Sequence, residues 1–424
     1  MAKPKLALIP AAQGTKLYSV LPSDGTGDFD FTRGSVATRI NAQGLIENVA
    51  SGQSRLDYPL IDGVQKGCPH HILEPQRTNV LLQSNGFDTT WAFTRASVSQ
   101  EHISPDGALN AWAFIDNATD STHLMVQSVS LGAVTSTASI YAKAGTRDFI
   151  AFRFEGSTGV DYVYFNVKNG TIGDVNSDYI DVKIENAGNG WYRCIATRVL
   201  GASGNQFIIL SADKNGDPTY SGNGDNALYI YGSQVEAGSY ATSYIPTTST
   251  TVTRSAETAN GAGNSTTFND SEGVLMAEIS ALADDGTFRM IGVFDEKTTN
   301  EDRIQIYYRN DANKISFLIE ENNVNQFVKT LDVTTIQYNK VALKYGNTSK
   351  VYINGFKLAE ESGVAIPNNL QRLSFNEQNG SNNFYGNTKQ VQYFNSALAD
   401  TQLEQLTSWQ SFRDMANGQL YTIE

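Results

Sequence analysis

The sequence predicts an all-β protein: an irregular N-terminal anchor segment, two β-sandwich (jelly-roll) modules and one short C-terminal helix. Three observations predict it. Apolar and polar residues alternate in many short runs, as in Ile150, Phe152 and Phe154 against Ala151 and Arg153. Strands produce that alternation because successive side chains point to opposite faces. Asn169-Gly170 and Asn354-Gly355 sit between such runs, where tight hairpin turns favour residues that tolerate positive φ. The composition is rich in Gly (36), Tyr (20) and Phe (20) and poor in Met (5), favouring turns and pleated surfaces over helices.

Residues 1–76 are irregular. Turn clusters occur at Pro22-Ser23-Asp24-Gly25, Asp62-Gly63 and Lys66-Gly67-Cys68-Pro69, between short apolar patches at Leu17–Val20 and at Phe29 and Phe31. A stretch this long with so little periodicity packs against something else, either the next domain or neighbouring copies. The expectation is an anchor or oligomerisation segment whose removal leaves the β modules folded.

Residues 77–255 carry the densest alternation. After Ile150–Phe154, Val163, Phe165 and Val167 alternate with Tyr162, Tyr164 and Asn166, and Ile180, Val182 and Ile184 alternate with charged residues. The runs Trp191–Ala196, Gln206–Leu210 and Leu228–Tyr231 follow. Many short strands separated by turn chemistry predict a sandwich or jelly roll. Small polar residues around Pro246–Thr253 and Asn260–Ser265 mark the domain boundary, with a linker set at 256–267.

Residues 268–424 form the third part. Strands are expected at Val274–Ile279, Phe288–Phe294, Arg303–Tyr308, Lys314–Ile319, Lys340–Lys344, Lys350–Ile353, Arg372–Phe375 and Lys389–Phe394. Asn354-Gly355 predicts a hairpin between Val351–Ile353 and Phe356–Leu358. Near the C-terminus, Thr401 and Glu404 have capping-box spacing, and Leu403, Leu406 and Phe412 fall on one helical face.

The chain has 424 residues, which at roughly 100–200 residues per domain suggests two or three domains. With 40% hydrophobic and 18% charged residues it has the material for packed cores. Its net charge of −13 argues against nucleic acid as a partner, since phosphate binding needs clustered Lys and Arg. No run approaches the roughly 18 apolar residues of a spanning helix, so membrane insertion is not expected. Leu6–Ile9 is too short for the apolar core of a secretory signal, so folding in a cytoplasm is expected. Two cysteines, Cys68 and Cys194, are too few for a disulfide framework and are expected as buried thiols.

Several strings resemble a family. Phe29–Ser35, Ala37–Asn41, Gly44–Glu47 and Leu73–Leu81, followed by Ser84-Asn85 and Trp91, resemble the N-terminal segment of many phage structural proteins. These often come from phages of Bacteroidetes hosts, where the segment precedes modules resembling carbohydrate-binding jelly rolls. Tyr231–Thr247 looks like the closing strand and exit of such a module. Val351–Gly355, Val391–Asp400 and the helix carrying Leu403 resemble laminin-G or concanavalin-A-like domains. The resemblance implies a virion head or tail fibre, spike or other appendage, assembled in the host cytoplasm. It also implies a homo-oligomer, often a trimer.

Candidate sites are sparse. The Glu-x-Asp-x-Glu pattern typical of concanavalin-like glycosidases is absent. The acidic clusters Asp284-Asp285 and Asp295-Glu296 with Glu301-Asp302 sit among turn residues. No His-x-x-x-His, Cys-x-x-Cys, Gly-x-Ser-x-Gly or phosphate-binding loop pattern occurs, and His70, His71, His102 and His123 are expected to be structural. Asp213, Asn215 and Asp217 have the alternating oxygens of a calcium loop; its closing position holds Gly224, so a hairpin turn is the simpler reading, with calcium kept as the alternative. Trp91, Trp112, Trp191 and the tyrosines are the aromatic candidates for sugar contact, although aromatics in sandwiches usually fill the core. Asn376, Gln378, Asn379 and Asn382, in one Asn-rich loop, are the amide candidates for glycan binding on a distal surface.

The expected function is therefore non-enzymatic: a virion protein bound to other virion proteins through residues 1–76 and touching host-surface glycans with its β modules. The alternatives are a purely structural decoration protein and a polysaccharide depolymerase.

Overall fold

A computed structural model describes residues 3–155, 162–297 and 299–418; the last six residues of the third part lie outside the described residues. The chain is all-β, with two short helices at its C-terminal end. No helix among the described residues is long and apolar enough to cross a membrane.

The middle part is a sandwich of two antiparallel sheets. One has six strands in the order Ala96–Ile103, Leu109–Asp116, Asn226–Ala237, Thr135–Ala144, Trp191–Val199, Tyr179–Gly188. The other runs Ala92–Thr94, Asp120–Ser128, Gln206–Ala212, Phe149–Glu155, Tyr162–Asn166, Thr171–Val175, and Thr219–Ser221 joins it beside Asp120–Ser128. Strands distant in the chain lie side by side in both sheets, as in a jelly roll. Ile150, Phe152, Phe154, Val163 and Phe165 all face the core, as the alternation predicts. The Phe152 ring sits 5.0 Å from Phe165 and 5.3 Å from Phe207. Burying each such side chain contributes roughly 1.5–3 kcal/mol.

The third part is a second sandwich. Its five-stranded sheet runs Val324–Asp332, Lys314–Glu321, Arg303–Tyr308, Arg289–Phe294, Arg372–Ser374. The opposing sheet includes Gly386–Phe394, Gly273–Ala281, Asn339–Tyr345, Thr348–Ile353 and Phe356–Ser362. Asn354 and Gly355 both have positive φ in the last hairpin, as expected. The helix Asp400–Thr407 buries Leu403 against the outer face of this sheet, beside Met276, Tyr352 and Phe394. Its start differs from the expected capping box. Ala399 is the N-cap, and the Gln402 side chain accepts its N–H at 3.0 Å. Phe412 belongs to a second helix, Phe412–Gly418, and is exposed.

Residues 1–76 form no unit of their own. Leu6–Leu8 and His70–Leu73 both pair with Gly386–Phe394, and Ser19–Leu21 extends the same sheet. Leu6, Leu8, Leu17, Phe29 and Phe31 enter the third part's core. Nor is 256–267 a free linker. Thr258–Asn260 pairs with Phe29–Thr32, and Ala259 and Ala262 are buried in that core. The reason is chemical: short apolar patches too weak to form a core alone complete a sheet edge that would otherwise be open.

Candidate functional site

Arg33 and Glu74, from two of the strings that resemble phage structural proteins, meet Arg55, Arg254 and Glu257 in a buried polar cluster at the junction of the three parts. Arg33, Arg55, Glu74, Arg254 and Glu257 have side chains at most 2% exposed. Arg55 donates to Glu74 at 2.8 Å, to Glu257 through two nitrogens, and to the Thr38 carbonyl at 2.8 Å. Arg33 bonds Glu257 at 2.7 Å, and Arg254 pairs with Glu74 at 2.8 Å. Burial alone raises the Glu74 carboxyl, but Arg254, Arg55 and the N–H of Ser243 outweigh it and hold it at about 2. Alongside, Asn79 donates to the carbonyls of Ser233 and Ile245, and Glu236 accepts from the N–H and hydroxyl of Thr242. The junction is a framework: almost every donor and acceptor in it is engaged.

This framework holds open a cleft of about 710 Å³. Its floor is the outer face of the six-stranded sheet, with Tyr141, Glu185 and Arg193. Tyr192, Asn186 and the Asn169-Gly170 turn form the rim. The N-terminal segment supplies Arg39, Asp57, Tyr58 and His70, and the third part supplies Leu282, Tyr338 and Asn387. The turn at Asp62-Gly63, with φ of 54° and 73°, rests on the Asn186–Gly188 strand end and closes one side.

The cleft's charged groups are distinct in state. Arg39 is paired with Glu47 at 3.0 Å and donates to the Leu56 carbonyl at 3.0 Å. Arg193 donates to Ser139 Oγ and the Thr242 carbonyl, with its guanidinium over the Tyr141 ring. Burial pushes the Asp57 carboxyl up to about 6, against the N–H of Ile40 and the charge of Arg55. Burial, with Lys389 nearby, holds His70 at about 3, so its imidazole is neutral beside Asp57. The lining is mixed, with charged and amide side chains beside the Tyr58, Tyr141, Tyr192 and Tyr338 rings.

The residues singled out from sequence lie elsewhere. Asp213 pairs with Arg147, Asn215 bonds Asp174 through both its amide atoms, and Asp217 caps the N–H of Thr219. Their oxygens serve three separate partners, which makes the stretch a turn. No cluster of three or more His, Cys, Asp or Glu able to hold a metal exists among the described residues. In the Asn-rich loop, Asn376 and Gln378 are buried, and Gln378 donates to Asp295 and to the Lys297 carbonyl. Asn379 accepts from Ser381, and Asn382 donates to Glu377 at 2.7 Å. Trp91, Trp112 and Trp191 are buried. Cys194 is buried in the core, whereas Cys68, expected to be buried, is exposed in the Lys66–Pro69 turn. The sequence reading missed the cleft residues because they come from three distant parts and form no local motif.

The chain matches no protein-family model and no curated protein. Solved structures overlap with about a third of it. The Ruminococcus gnavus IT-sialidase CBM40 shares 18% identity over 35% of this chain and 94% of its own, with a TM-score of 0.29. The leech intramolecular trans-sialidase shares 16% over 36% of this chain and 27% of its own (TM-score 0.30). A heptameric SAP-like pentraxin from Limulus polyphemus shares 12% over 36% of this chain and 76% of its own (TM-score 0.29). At these values the overlaps assign no function.

Proposed function

We propose that the chain is a non-enzymatic phage virion protein, a head or tail fibre or spike acting as a homo-oligomer such as a trimer, whose cleft takes a host-surface glycan. The observation that supports the reading is the cleft: the half-buried Tyr58 and Tyr192 rings lie beside amides, a carboxylate and an imidazole that can meet sugar hydroxyls. The virion assignment rests on the strings that resemble phage structural proteins.

The test is binding of the full chain to purified host-surface polysaccharide, with Tyr58→Ala and Tyr192→Ala as variants. Binding that both variants weaken supports the reading. Silence towards every host polysaccharide refutes it in favour of decoration. The depolymerase reading has one observation behind it: the Asp57 carboxyl, held near neutrality in the cleft, is in the range of a general acid. Release of reducing ends that is lost in Asp57→Asn supports that reading instead.

A further inference from the structure

A second hollow, of about 570 Å³, lies where Thr135–Ala144 ends and Asn226–Ala237 begins, at paired strand ends of the six-stranded sheet. Tyr229 forms its aromatic wall, and Gly145, Thr146, Gly224, Asp225 and Asn226 form its rim. Neither Tyr229 nor Asp225 lines the cleft, so the two are separate sites.

The aromatic wall is set from behind. Tyr229 pairs across the sheet with Ala113 on one side and Lys143 on the other, and it is half-buried. The His102 ring stacks on it at 4.1 Å with the planes 21° apart. His102 is not among the residues lining the hollow, so Tyr229 turns towards it a side that His102 does not cover.

The rim is held as firmly. The Asp116 carboxylate, on a residue 2% exposed, accepts three successive N–H groups through Oδ1: Asn223 at 3.1 Å, Gly224 at 2.9 Å and Asp225 at 3.3 Å. Such a nest of N–H groups around one carboxylate fixes the loop's path. The opposite rim is laced to the strand start. Gly145 N–H donates to the Ala227 carbonyl at 3.2 Å, and Thr146 N–H to the Asn226 carbonyl at 2.9 Å. Gly224 has φ of 85°, and a Cβ there would meet no atom, so the hollow is open above it. Asp225 is exposed, and its one side-chain bond among the described residues comes from Asn223 Nδ2 to Oδ2 at 2.6 Å. Oδ1 is left as an acceptor.

We propose that this hollow is a second glycan subsite, taking one sugar residue with its C–H face on Tyr229 and its hydroxyls on the Asp225 carboxylate. An aromatic side chain supplies contact area at low entropic cost, and a carboxylate accepts from hydroxyls on adjacent ring carbons. Because both walls are tied down before the sugar arrives, little ordering is lost on binding. The inference rests on the reading of the chain as a glycan binder and not on the cleft.

The experiment is calorimetric titration of the full chain with oligosaccharides released from purified host-surface polysaccharide, using Tyr229→Ala, Asp225→Asn and the cleft variants Tyr58→Ala and Tyr192→Ala. Tyr229→Ala and Asp225→Asn should each weaken binding about tenfold or more. Asp225→Asn keeps the N–H that Asp116 holds, so its melting temperature should stay while its affinity falls. A residue that only shapes the loop would move the melting temperature instead. Asp225→Asn therefore decides the matter even if Tyr229→Ala fails to fold. Affinity indifferent to Asp225→Asn overturns the subsite, and losses confined to Tyr58→Ala and Tyr192→Ala would then leave the cleft reading standing. Losses confined to Tyr229→Ala and Asp225→Asn support the subsite and overturn the cleft. Silence towards every oligosaccharide overturns both.

Discussion

Replacing Glu257 with glutamine should cost the protein about 3–5 kcal/mol, the usual penalty for breaking a buried ion pair by removing one partner. The structure supports the upper part of that range. Glu257 accepts from Arg33 at 2.7 Å, from Arg55 through two nitrogens and from the Glu74 N–H at 2.9 Å. A glutamine retains one acceptor oxygen and turns an NH₂ towards guanidinium donors. Three arginines are then left with Glu74 alone, in a site where the five side chains are at most 2% exposed. The control is Glu47→Gln, which breaks the Arg39 pair where Glu47 is 45% exposed and should cost no more than about 1 kcal/mol. Urea unfolding followed by tryptophan fluorescence compares the two. A loss below about 1 kcal/mol for Glu257→Gln, or equal losses for both variants, would refute the claim that this cluster ties the three parts together.

Three further outcomes follow from the same geometry. Removing residues 1–76 takes away Leu6–Leu8 and His70–Leu73 from the third part's sheet and three of the five residues of the ion cluster, so residues 77–424 should lose the fixed packing of the third part, seen as collapsed near-ultraviolet dichroism; a native-like spectrum would contradict it. Gly63→Ala should destabilise by roughly 1–3 kcal/mol, because a Cβ there would meet Asn186 Oδ1 at 2.1 Å and the backbone φ is +73°; an unchanged thermal midpoint would show that the turn does not rest on the sheet. Stability should fall as pH drops from 6.5 towards 4. His70 and His71 are held at about 3 and about 4, so the unfolded chain takes up protons first and each histidine loses on the order of 3 kcal/mol by pH 4. Asp57 has the opposite sign: raised to about 6, it binds its proton first in the folded state and returns about 2 kcal/mol over the same window. Thermal midpoints measured from pH 7 to 4 check the net fall, and a flat profile would rule it out.

The legible part of the fold was the part governed by local alternation. Phe152 and Phe165 face the core because a period of two leaves them no other place, and Arg303–Tyr308 starts and stops where the apolar run does. The strand Val324–Asp332 was missed because it is a sheet edge with alternating exposed polar residues and no apolar run. The pairing of residues 1–76 with Gly386–Phe394 was illegible for another reason. Strands of three or four residues carry too little pattern to name a partner more than 300 positions away. The candidate site was the least legible. Turn-rich strings such as Asp213–Asp217 and Asn376–Asn383 drew attention because oxygen-bearing side chains crowd together there. Such side chains crowd in turns to bond their own backbone, as Asp217 and Asn379 do.

The strings that carry the resemblance explain this division. Arg33, Glu74 and Ser243 bond across the parts of the chain, and Asn79, Glu236 and Thr242 bond within the middle part beside them. A substitution at any of them leaves a buried charge or amide unpaired, so these positions tolerate little change while the architecture is kept. Tyr58 and Asn387, half-buried at the cleft, lie outside this cluster. Tyr338 and Tyr192 also line the cleft but are packed, Tyr338 against His70 and Lys389 and Tyr192 against the middle core. The framework and the cleft nevertheless touch, since Glu74, Thr242 and Ser243 also line the cavity. The arrangement separates two tasks within one junction. Buried ion pairs fix where the walls stand, and the half-buried side chains on those walls are free to vary. Proteins built on this plan should therefore share the arginine–glutamate cluster while differing at 58 and 387. Exchanging those two residues should move the unfolding transition by no more than about 1 kcal/mol, and a shift in stability as large as that of Glu257→Gln would show the separation to be false.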